Sequence, residues 1–332
     1  MSTALLTGIS GQTGSYLCEQ LLEQGWRVAG IVRDADEMRP ALQQRSPEAE
    51  LFSGDLADDA RMRSIVLEVE PDAIINLGGV SSVAASWSDP GATARITGLG
   101  GASMLAAAAE LRERTGRRVG FVQASSAEMF GEAVDIPQTE QTIVRPVNPY
   151  GAAKAYVHHL VGVYRGAGLE ASSVILYNHE SPRRPEGFVT RKITMGVARI
   201  AHGLADDLVL GSLGSQRDWG WAPDYARALA LAAVGEPGDY IVATGQVHTV
   251  GDFVAAAFAA AGIDDWQSRV KVDQRFVRPR EAPTLVGDAT RIREALGWTP
   301  SVGFDEIVRR MVSHDLALLD DAPAPPQADR LE

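Results

Sequence analysis

The sequence predicts an α/β protein that consists of a doubly wound parallel sheet and a smaller mixed lobe in its C-terminal part. Short apolar runs alternate with helical patterns through the first half of the chain, as strands and crossover helices do in a parallel sheet. Gly8, Gly11 and Gly14 stand between the first apolar run and the first helical pattern. With 332 residues, 45% of them hydrophobic, the chain can build one large sheet domain and a second lobe.

Strand and helix alternate in order along the first half of the chain. The predicted strands are TALLTG, WRVAGIVR, ELFSGDL, DAIINLGG, RRVGFVQASS and EASSVILYN. Apolar residues at helical spacing predict helices in GSYLCEQLLEQG, ARMRSIVLEVEP, GATARITGLGGASMLAAAAEL and PYGAAKAYVHHLVGVYRGAG. Ligands of such sheets bind beyond the carboxyl ends of the strands, so polar residues that directly follow a strand are the first candidates for a site.

The alternation stops after Asn178. Helices are predicted in FVTRKITMGVARIAHGL, DYARALALAAVGEPG, VGDFVAAAFAAAGI and FDEIVRRMVSHDLALL, and a strand in DYIVATG. We therefore predict a dinucleotide-binding domain of residues 1–178 with about 218–245, and a substrate-binding lobe of about 179–217 with 246–319. The Pro- and Asp-rich tail, 320–332, is expected to be disordered.

Composition excludes several classes of protein. A formal net charge of −12 argues against a nucleic-acid binder, which needs a basic face for phosphates. Cys18 is the only cysteine, which excludes disulfides within the chain and Cys-based metal sites, and no metal centre is predicted. The chain has neither a secretory signal pattern nor the roughly 18 consecutive apolar residues of a membrane span. A cytoplasmic enzyme with no membrane partner is the expectation.

The glycine-rich turn predicts a Rossmann-type dinucleotide site. Gly8, Gly11 and Gly14 have the GxxGxxG spacing of short-chain dehydrogenase-type domains, where glycine lets a pyrophosphate approach the helix N-terminus. The second strand ends with Arg33 and Asp34. An arginine suits the 2′-phosphate of NADP and an acidic residue the ribose of NAD, so Arg33 favours NADP with NAD as the alternative.

Other residues at strand ends extend this cofactor site. Asp55 and Leu56 follow the third strand and are predicted to hold adenine, although Asp55 would also serve as an ordinary turn or helix-cap residue. We also assign to the cofactor site Gln12, Thr13, Leu77, Gly78 and Ser81.

The fifth strand and the following helix supply a catalytic group. Tyr150 and Lys154 form YxxxK, a pair on one helix face, and Ser126 stands at a strand end. The lysine ammonium and the nicotinamide charge are expected to lower the tyrosine pKa, so that the tyrosine can take a substrate proton. Tyr150 and Lys154 are expected to contact the cofactor as well.

Glu128 distinguishes two kinds of chemistry. A reductase or 4-epimerase needs only the serine, tyrosine and lysine, and Glu128 would then be a solvent-facing residue. An enzyme that removes the proton next to a transient ketone and expels a hydroxyl needs an added base, which contributes roughly 10²–10⁴-fold to the rate.

Together these motifs resemble the GDP-mannose 4,6-dehydratases, a family of extended short-chain dehydrogenases/reductases. The likeness runs from LLTGISGQTGSYL through SSAEMFGE and NPYGAAKAY to YNHESPRRPEGFVTRKIT, RDWGWAPDY and LVGDATRIREALGWTP. It implies an internal-redox lyase that removes water from GDP-mannose or a close nucleotide sugar. Tyr150 would deprotonate the 4-hydroxyl, Glu128 would remove the C5 proton, and Ser126 would bind the 4-oxygen.

The resemblance also implies ligand contacts beyond the strand ends. His179 and Arg184 would touch the nicotinamide end of the cofactor. The substrate site would comprise Asn178, Val189, Lys192, Arg217, Arg278 and Glu281. Its cations would face the diphosphate and be balanced by substrate charge instead of protein carboxylates. For Arg183 and Arg191 a surface position without a partner is the alternative.

The sequence leaves more than one possibility for the oligomeric state and for the reaction class. The family usually has a second arginine and a serine-rich loop after the second strand, and that loop joins a tetramer. Here Asp34 follows Arg33 and the connection is shorter, so we predict a homodimer at least, with a tetramer as the alternative. An NAD(P)-dependent reductase or epimerase of a related nucleotide sugar is the second function considered, and a non-catalytic dinucleotide-binding protein the third.

Overall fold

The computed structural model describes residues 1–273 and 284–320. Its strands are β1 (Thr3–Thr7), β2 (Arg27–Val32), β3 (Glu50–Ser53), β4 (Ala73–Asn76), β5 (Gly120–Ser126), β6 (Glu170–Leu176), β7 (Asn178–Glu180), β8 (Leu208–Leu210), β9 (Gln216–Arg217), β10 (Trp219–Trp221), β11 (Asp239–Val242), β12 (His248–Thr249), β13 (Val270–Val272) and β14 (Thr284–Leu285). Its α-helices are α1 (Gln12–Glu23), α2 (Ala35–Gln43), α3 (Asp59–Val69), α4 (Val83–Ser88), α5 (Pro90–Thr93), α6 (Gly100–Thr115), α7 (Pro149–Gly166), α8 (Val189–Ala201), α9 (Ala222–Val234), α10 (Val250–Ala260), α11 (Thr290–Leu296) and α12 (Phe304–Asp320).

The central sheet confirms the predicted fold class. Seven strands lie in the order β11–β6–β5–β4–β1–β2–β3, and every neighbouring pair is parallel. Strand order reverses between β1 and β4, which is the doubly wound topology. The carboxyl ends of these two strands therefore flank a crevice where a ligand can bind.

Apolar side chains cover both faces of the sheet and form a further core in the C-terminal part. One cluster joins α1 and α9 to the sheet, and a second joins α3, α6 and α7 to its other face. A third cluster packs α8, α10 and α12 around Trp219 and Phe253. It lies largely in the residues that we assign to the substrate lobe. The domain boundaries themselves stay a prediction.

Local signals explain which helices the sequence predicted and which it missed. α7 starts at Pro149 behind the N-cap Asn148, a strong signal, whereas α2 contains Pro40 and few apolar residues. The helix predicted from Gly91 onward is divided, because a π-helical segment, Ala94–Leu99, separates α5 from α6. The short strands β7 to β10 and β12 to β14 were not predicted, since segments of 2 or 3 residues carry no periodic pattern.

Two predictions fall partly outside the described residues. α12 continues to Asp320, which His202 contacts at 2.9 Å, and the rest of the predicted tail is not described. Arg278 and Glu281 also lie outside the described residues. None of the helices in the described part of the chain is long and apolar enough to cross a membrane.

Candidate active site

A cleft of about 720 Å³ opens at the carboxyl ends of the central strands. Of the predicted site residues that the structure describes, all but Lys192 line it. The cleft thus brings together the glycine-rich turn, the strand-end residues of β2, β3 and β4, the Ser126–Tyr150–Lys154 group, and the segment that follows β6.

Close backbone packing requires the glycines of the first turn. Gly8 has a φ of +70°, and a Cβ added to Gly14 would lie 2.1 Å from the carbonyl oxygen of Gly8. Gly11 is the N-cap of α1, and no side chain caps that helix end. The first amides of α1 therefore face the cleft in a cradle that fits a phosphate group.

Arg33 and Asp34 have different surroundings just before α2. Arg33 lines the cleft, whereas Asp34 is absent from its walls. The Asp34 Oδ1 accepts hydrogen bonds from the amides of Asp36 and Glu37 at 3.0 and 3.1 Å. Asp34 is thus used as a helix cap.

Asp55 and its neighbours form another wall. The Asp55 Oδ1 accepts a hydrogen bond from the Ala57 amide at 2.9 Å, so the turn role and a cleft position coexist. Gly78 is held by its amide, which donates to the Thr7 hydroxyl at 2.9 Å. A Cβ at Gly78 would lie 2.6 Å from the Leu56 side chain, so a larger residue there would displace Leu56.

The Ser126, Tyr150 and Lys154 side chains meet in the cleft. Lys154 is 5% exposed, and its Nζ donates to the Ala124 carbonyl at 2.8 Å and lies 5.8 Å from the Tyr150 ring centroid. Burial lowers the pKa of Lys154 to about 8. Burial raises the pKa of Tyr150, while a hydrogen bond with Ser126 acts in the opposite direction. In the protein alone this direction is opposite to the one expected, because desolvation of the phenolate outweighs its partners.

Glu128 faces the same cleft. It lies in the 3₁₀ turn Ala127–Met129 directly after β5, where the Ser126 Oγ accepts a hydrogen bond from its amide at 3.3 Å. The Glu128 Oε2 accepts a hydrogen bond from the Asn148 Nδ2 at 2.8 Å. The charge of Glu128 raises the pKa of the Tyr150 hydroxyl, so the two groups share one site. Glu128 is therefore not turned toward bulk solvent.

His179 connects the glycine-rich turn to β7. Its Nδ1 contacts the Tyr177 carbonyl at 2.8 Å and its Nε2 contacts the Thr13 hydroxyl at 2.7 Å. Since a carbonyl only accepts, Nδ1 carries the proton and Thr13 donates to Nε2. The Gln12 side chain donates to the His179 carbonyl at 2.9 Å. Burial lowers the pKa of His179 to about 4, so this imidazole is neutral at neutral pH.

Three arginines in the segment after β6 have protein partners. Arg183 donates to Glu19 at 2.8 Å and stacks on Tyr16, and Arg184 lies 3.3 Å from the Glu180 carboxylate. Arg191 is 8% exposed and forms an ion pair with Asp315 at 2.7 Å. Protein carboxylates therefore balance these three cations, and neither Arg183 nor Arg191 is a surface residue without a partner. Glu180 is local to Arg184, four residues before it, whereas long-range packing brings Glu19 to Arg183 and Asp315 to Arg191.

Of the predicted substrate-site residues that the structure describes, three line the cleft and one does not. Asn178, Val189 and Arg217 line the cleft from β7, the start of α8 and β9. Lys192 lies one turn further along α8 and does not line it. Asp218 next to Arg217 is buried and accepts hydrogen bonds from the backbone and side chain of Thr244, so it supports the fold of this wall.

Sequence reasoning missed some polar residues of this site. Glu180 lines the cleft, is 1% exposed and accepts a hydrogen bond from the Thr190 hydroxyl at 2.6 Å. Burial raises its pKa against the opposing effect of Arg184. Glu180 lies two residues after Asn178 at a strand end, a position that could have marked it. Asn148 does not line the cleft but holds Glu128, and its only local signal is that of a helix cap.

The chain is similar to known proteins over most of its length. The sequence profile of the family described as GDP-mannose 4,6 dehydratase matches residues 5–311. GDP-mannose 4,6 dehydratase 1 of Arabidopsis thaliana is 42% identical, covering 95% of this chain and 90% of its own. The human GDP-mannose 4,6 dehydratase is 40% identical, covering 97% of this chain and 93% of its own.

Solved structures show the same fold. The UDP-glucose 4-epimerase of Thermus thermophilus, determined in complex with NAD, superposes with a TM-score of 0.81 at 29% identity and covers 94% of this chain and 98% of its own. The sequence profile and the two dehydratases confirm the resemblance read from the motifs. This chain is an enzyme that belongs to the GDP-mannose 4,6-dehydratase family.

Proposed function

We propose that this enzyme removes water from GDP-mannose and forms GDP-4-keto-6-deoxymannose with no net redox change. The observation that carries the proposal is the Glu128 carboxylate in the same cleft as Tyr150, Ser126 and Lys154. The dehydratases to which the chain is 40% and 42% identical support the substrate. A reductase or epimerase would have no use for a base at this position.

The cleft fits a nicotinamide dinucleotide. The turn from Gly8 to Gly14, in which a Cβ at Gly14 would clash with the Gly8 carbonyl, would hold the pyrophosphate, and Leu56, Leu77 and Gly78 would pack around the adenosine half. Such a cofactor would supply a reversible hydride acceptor, for hydride from C4 of the sugar and its return to C6. We propose NADP as the preferred form, because Arg33 lines the cleft while Asp34 is engaged as a helix cap.

Tyr150 would act at the 4-hydroxyl. Its phenol would accept the hydroxyl proton, with Ser126 hydrogen-bonded to the 4-oxygen. The charged form of Lys154 would stabilise the resulting phenolate, and its amine is anchored by the Ala124 carbonyl at 2.8 Å.

Glu128 would remove the C5 proton. A carbonyl at C4 acidifies that proton, and a carboxylate placed beside it can act as general base while the 6-hydroxyl leaves as water. The second carboxyl oxygen is bound to the Asn148 amide. Arg217, Asn178 and Val189 would line the nucleotide part of the substrate site, with Lys192, Arg278 and Glu281 as further proposed contacts.

The test replaces Glu128 by glutamine and follows loss of water from GDP-mannose by mass spectrometry. The dehydratase proposal predicts that Glu128→Gln lowers turnover by about 10²–10⁴-fold, because the general base is lost. A matched control is Glu113→Gln on the exposed face of α6, which should retain full turnover. Loss of water at the wild-type rate in Glu128→Gln would show that Glu128 is not the base, and no loss of water by the wild-type protein would favour the reductase or epimerase alternative.

Two further proposals concern the assembly and its surroundings. A homodimer is supported by exposed apolar side chains on α7 and the adjoining π-helical segment: Tyr156, Val163 and Leu99 are 46%, 65% and 54% exposed. A cytoplasmic location is proposed from the composition alone, with its single cysteine.

A further inference from the structure

We infer that Asn148 is a positioning residue that orients the catalytic carboxylate of Glu128 and joins it to the helix that carries Tyr150 and Lys154. This inference rests on the proposed dehydratase function. Asn148 is 6% exposed and does not line the cleft, so it would act only through Glu128.

The two ends of the Asn148 side chain have fixed roles. Its Oδ1 accepts a hydrogen bond from the Gly151 amide at 2.8 Å and caps α7. A backbone amide can only donate, so the atom that faces it must be the oxygen of the side-chain amide. The nitrogen therefore faces the Glu128 Oε2 at 2.8 Å and donates to it. The contact requires that carboxyl oxygen to be an acceptor.

Backbone packing brings Glu128 to this position but does not by itself orient the carboxylate. A Cβ added to Gly151 would lie 2.5 Å from the Glu128 carbonyl oxygen, so the first turn of α7 sits directly on the 3₁₀ turn. The Arg145 amide also donates to the Met129 carbonyl at 3.0 Å. Among the described residues, Asn148 is the one whose side chain donates a hydrogen bond to the Glu128 carboxylate.

This arrangement has a direct chemical consequence. One carboxyl oxygen is bound to the amide, so the other is available for the C5 proton. The base is also tied to the cap of the helix that carries Tyr150, so the groups that act at C4 and C5 share one rigid support. A displacement of about 1 Å at such a base can cost about 10²-fold in rate.

Two substitutions separate this role from helix capping. Asp and Ser are both good N-caps, so Asn148→Asp and Asn148→Ser retain the bond to the Gly151 amide. Asn148→Asp places a second carboxylate against Glu128. The two carboxylates then share a proton, because their like charges repel. Asn148→Ser is too short to reach Glu128. Asp58→Ser, at the exposed N-cap of α3, is the control for a cap substitution away from the cleft.

The measurement compares turnover, its pH profile and the absorbance of reduced nicotinamide after mixing with GDP-mannose. Both Asn148 variants should turn over about 10²-fold more slowly and accumulate reduced cofactor, because oxidation at C4 continues while removal of the C5 proton is slowed. For Asn148→Asp alone, the acidic limb of the kcat profile should move to higher pH. Thermal unfolding should stay close to that of the wild-type protein.

Three results would overturn the inference. It fails alone if the wild-type protein forms the 4-keto product and both Asn148 variants match its turnover. It also fails alone if turnover falls without accumulation of reduced cofactor and in proportion to lost thermal stability, because Asn148 would then be only a cap. If the wild-type protein does not dehydrate GDP-mannose, the proposed function fails first and the inference falls with it.

Discussion

Neighbouring residues at the end of β2 have separate tasks. Asp34 is held away from the cleft because its Oδ1 accepts hydrogen bonds from two backbone amides of α2. Arg33 takes no part in that cap and lines the cleft. In the sequence either Arg33 or Asp34 could contact the cofactor. Because Asp34 caps α2, the structure favours Arg33 as that contact.

We predict that Arg33→Ala lowers kcat/KM for NADP relative to NAD by about 10–10²-fold, the loss of one hydrogen bond to a charged group. The measurement is cofactor-dependent turnover of protein stripped of its cofactor. Asp34→Asn is the control: asparagine caps α2 equally well, so the ratio should not change. A ratio that moves only in Asp34→Asn would contradict the NADP proposal.

The buried Lys154 should lower the stability of the cofactor-free protein. Its pKa of about 8 in the folded protein lies below the ordinary value of 10.5, so the unfolded chain binds more protons between these values. The free energy of unfolding should therefore rise as pH increases from about 8 to 10.5. Lys154→Met should be inactive yet more stable than wild type at neutral pH, with the difference shrinking through that window. Urea unfolding at several pH values measures this, and a constant difference would contradict it.

At the scale of elements, α8 and α12 are joined by a buried ion pair. Arg191 on α8 contacts both carboxyl oxygens of Asp315 on α12, at 2.9 and 2.7 Å, and also donates to the Pro182 carbonyl. Thr194 donates to the same carboxylate at 2.7 Å. The pair thus fixes the helix that begins at the cleft residue Val189 to the last helix of the described chain.

We predict that Arg191→Met lowers the free energy of unfolding by about 3–5 kcal/mol, because Asp315 is left buried and charged without its partner. Arg199→Met on the same helix is the control. Its pair with Glu186 is exposed, and its loss should cost less than about 1 kcal/mol. Denaturant unfolding compares the two variants. Equal effects would show that the Arg191 pair contributes no more than a surface contact.

At the scale of the whole molecule, the exposed apolar face on α7 predicts the dimer interface. Side chains such as Val163, which is 65% exposed, are expected to be covered by a second copy in solution. Val163→Glu should shift the protein toward monomer by placing a charge in that interface. Val234→Glu, at a position 53% exposed at the end of α9, is the control and should leave the assembly unchanged. Sedimentation measures both, and an unaffected dimer in Val163→Glu would place the interface elsewhere.

Some of the candidate site could be predicted because its signals are local. The GxxGxxG turn needs small residues for one close approach, and Tyr150 and Lys154 share a helix face through the helical period alone. Strand ends converge at one edge of a parallel sheet, which placed Ser126 and Glu128 correctly in the cleft. The π-helical segment and α2 were missed, since both lack an uninterrupted apolar period.

The sequence by itself determined the alternation of strands and helices, the glycine-rich turn and the candidate residues Ser126, Tyr150 and Lys154, because each depends on spacing within a short segment. Only the tertiary structure decided which charges are paired. Arg183 meets Glu19 and Arg191 meets Asp315, each across a long stretch of chain, and the neutral Asn148 amide meets the Glu128 carboxylate. A buried side chain takes its ionisation and orientation from the groups packed against it, and long-range packing of the chain supplies those groups.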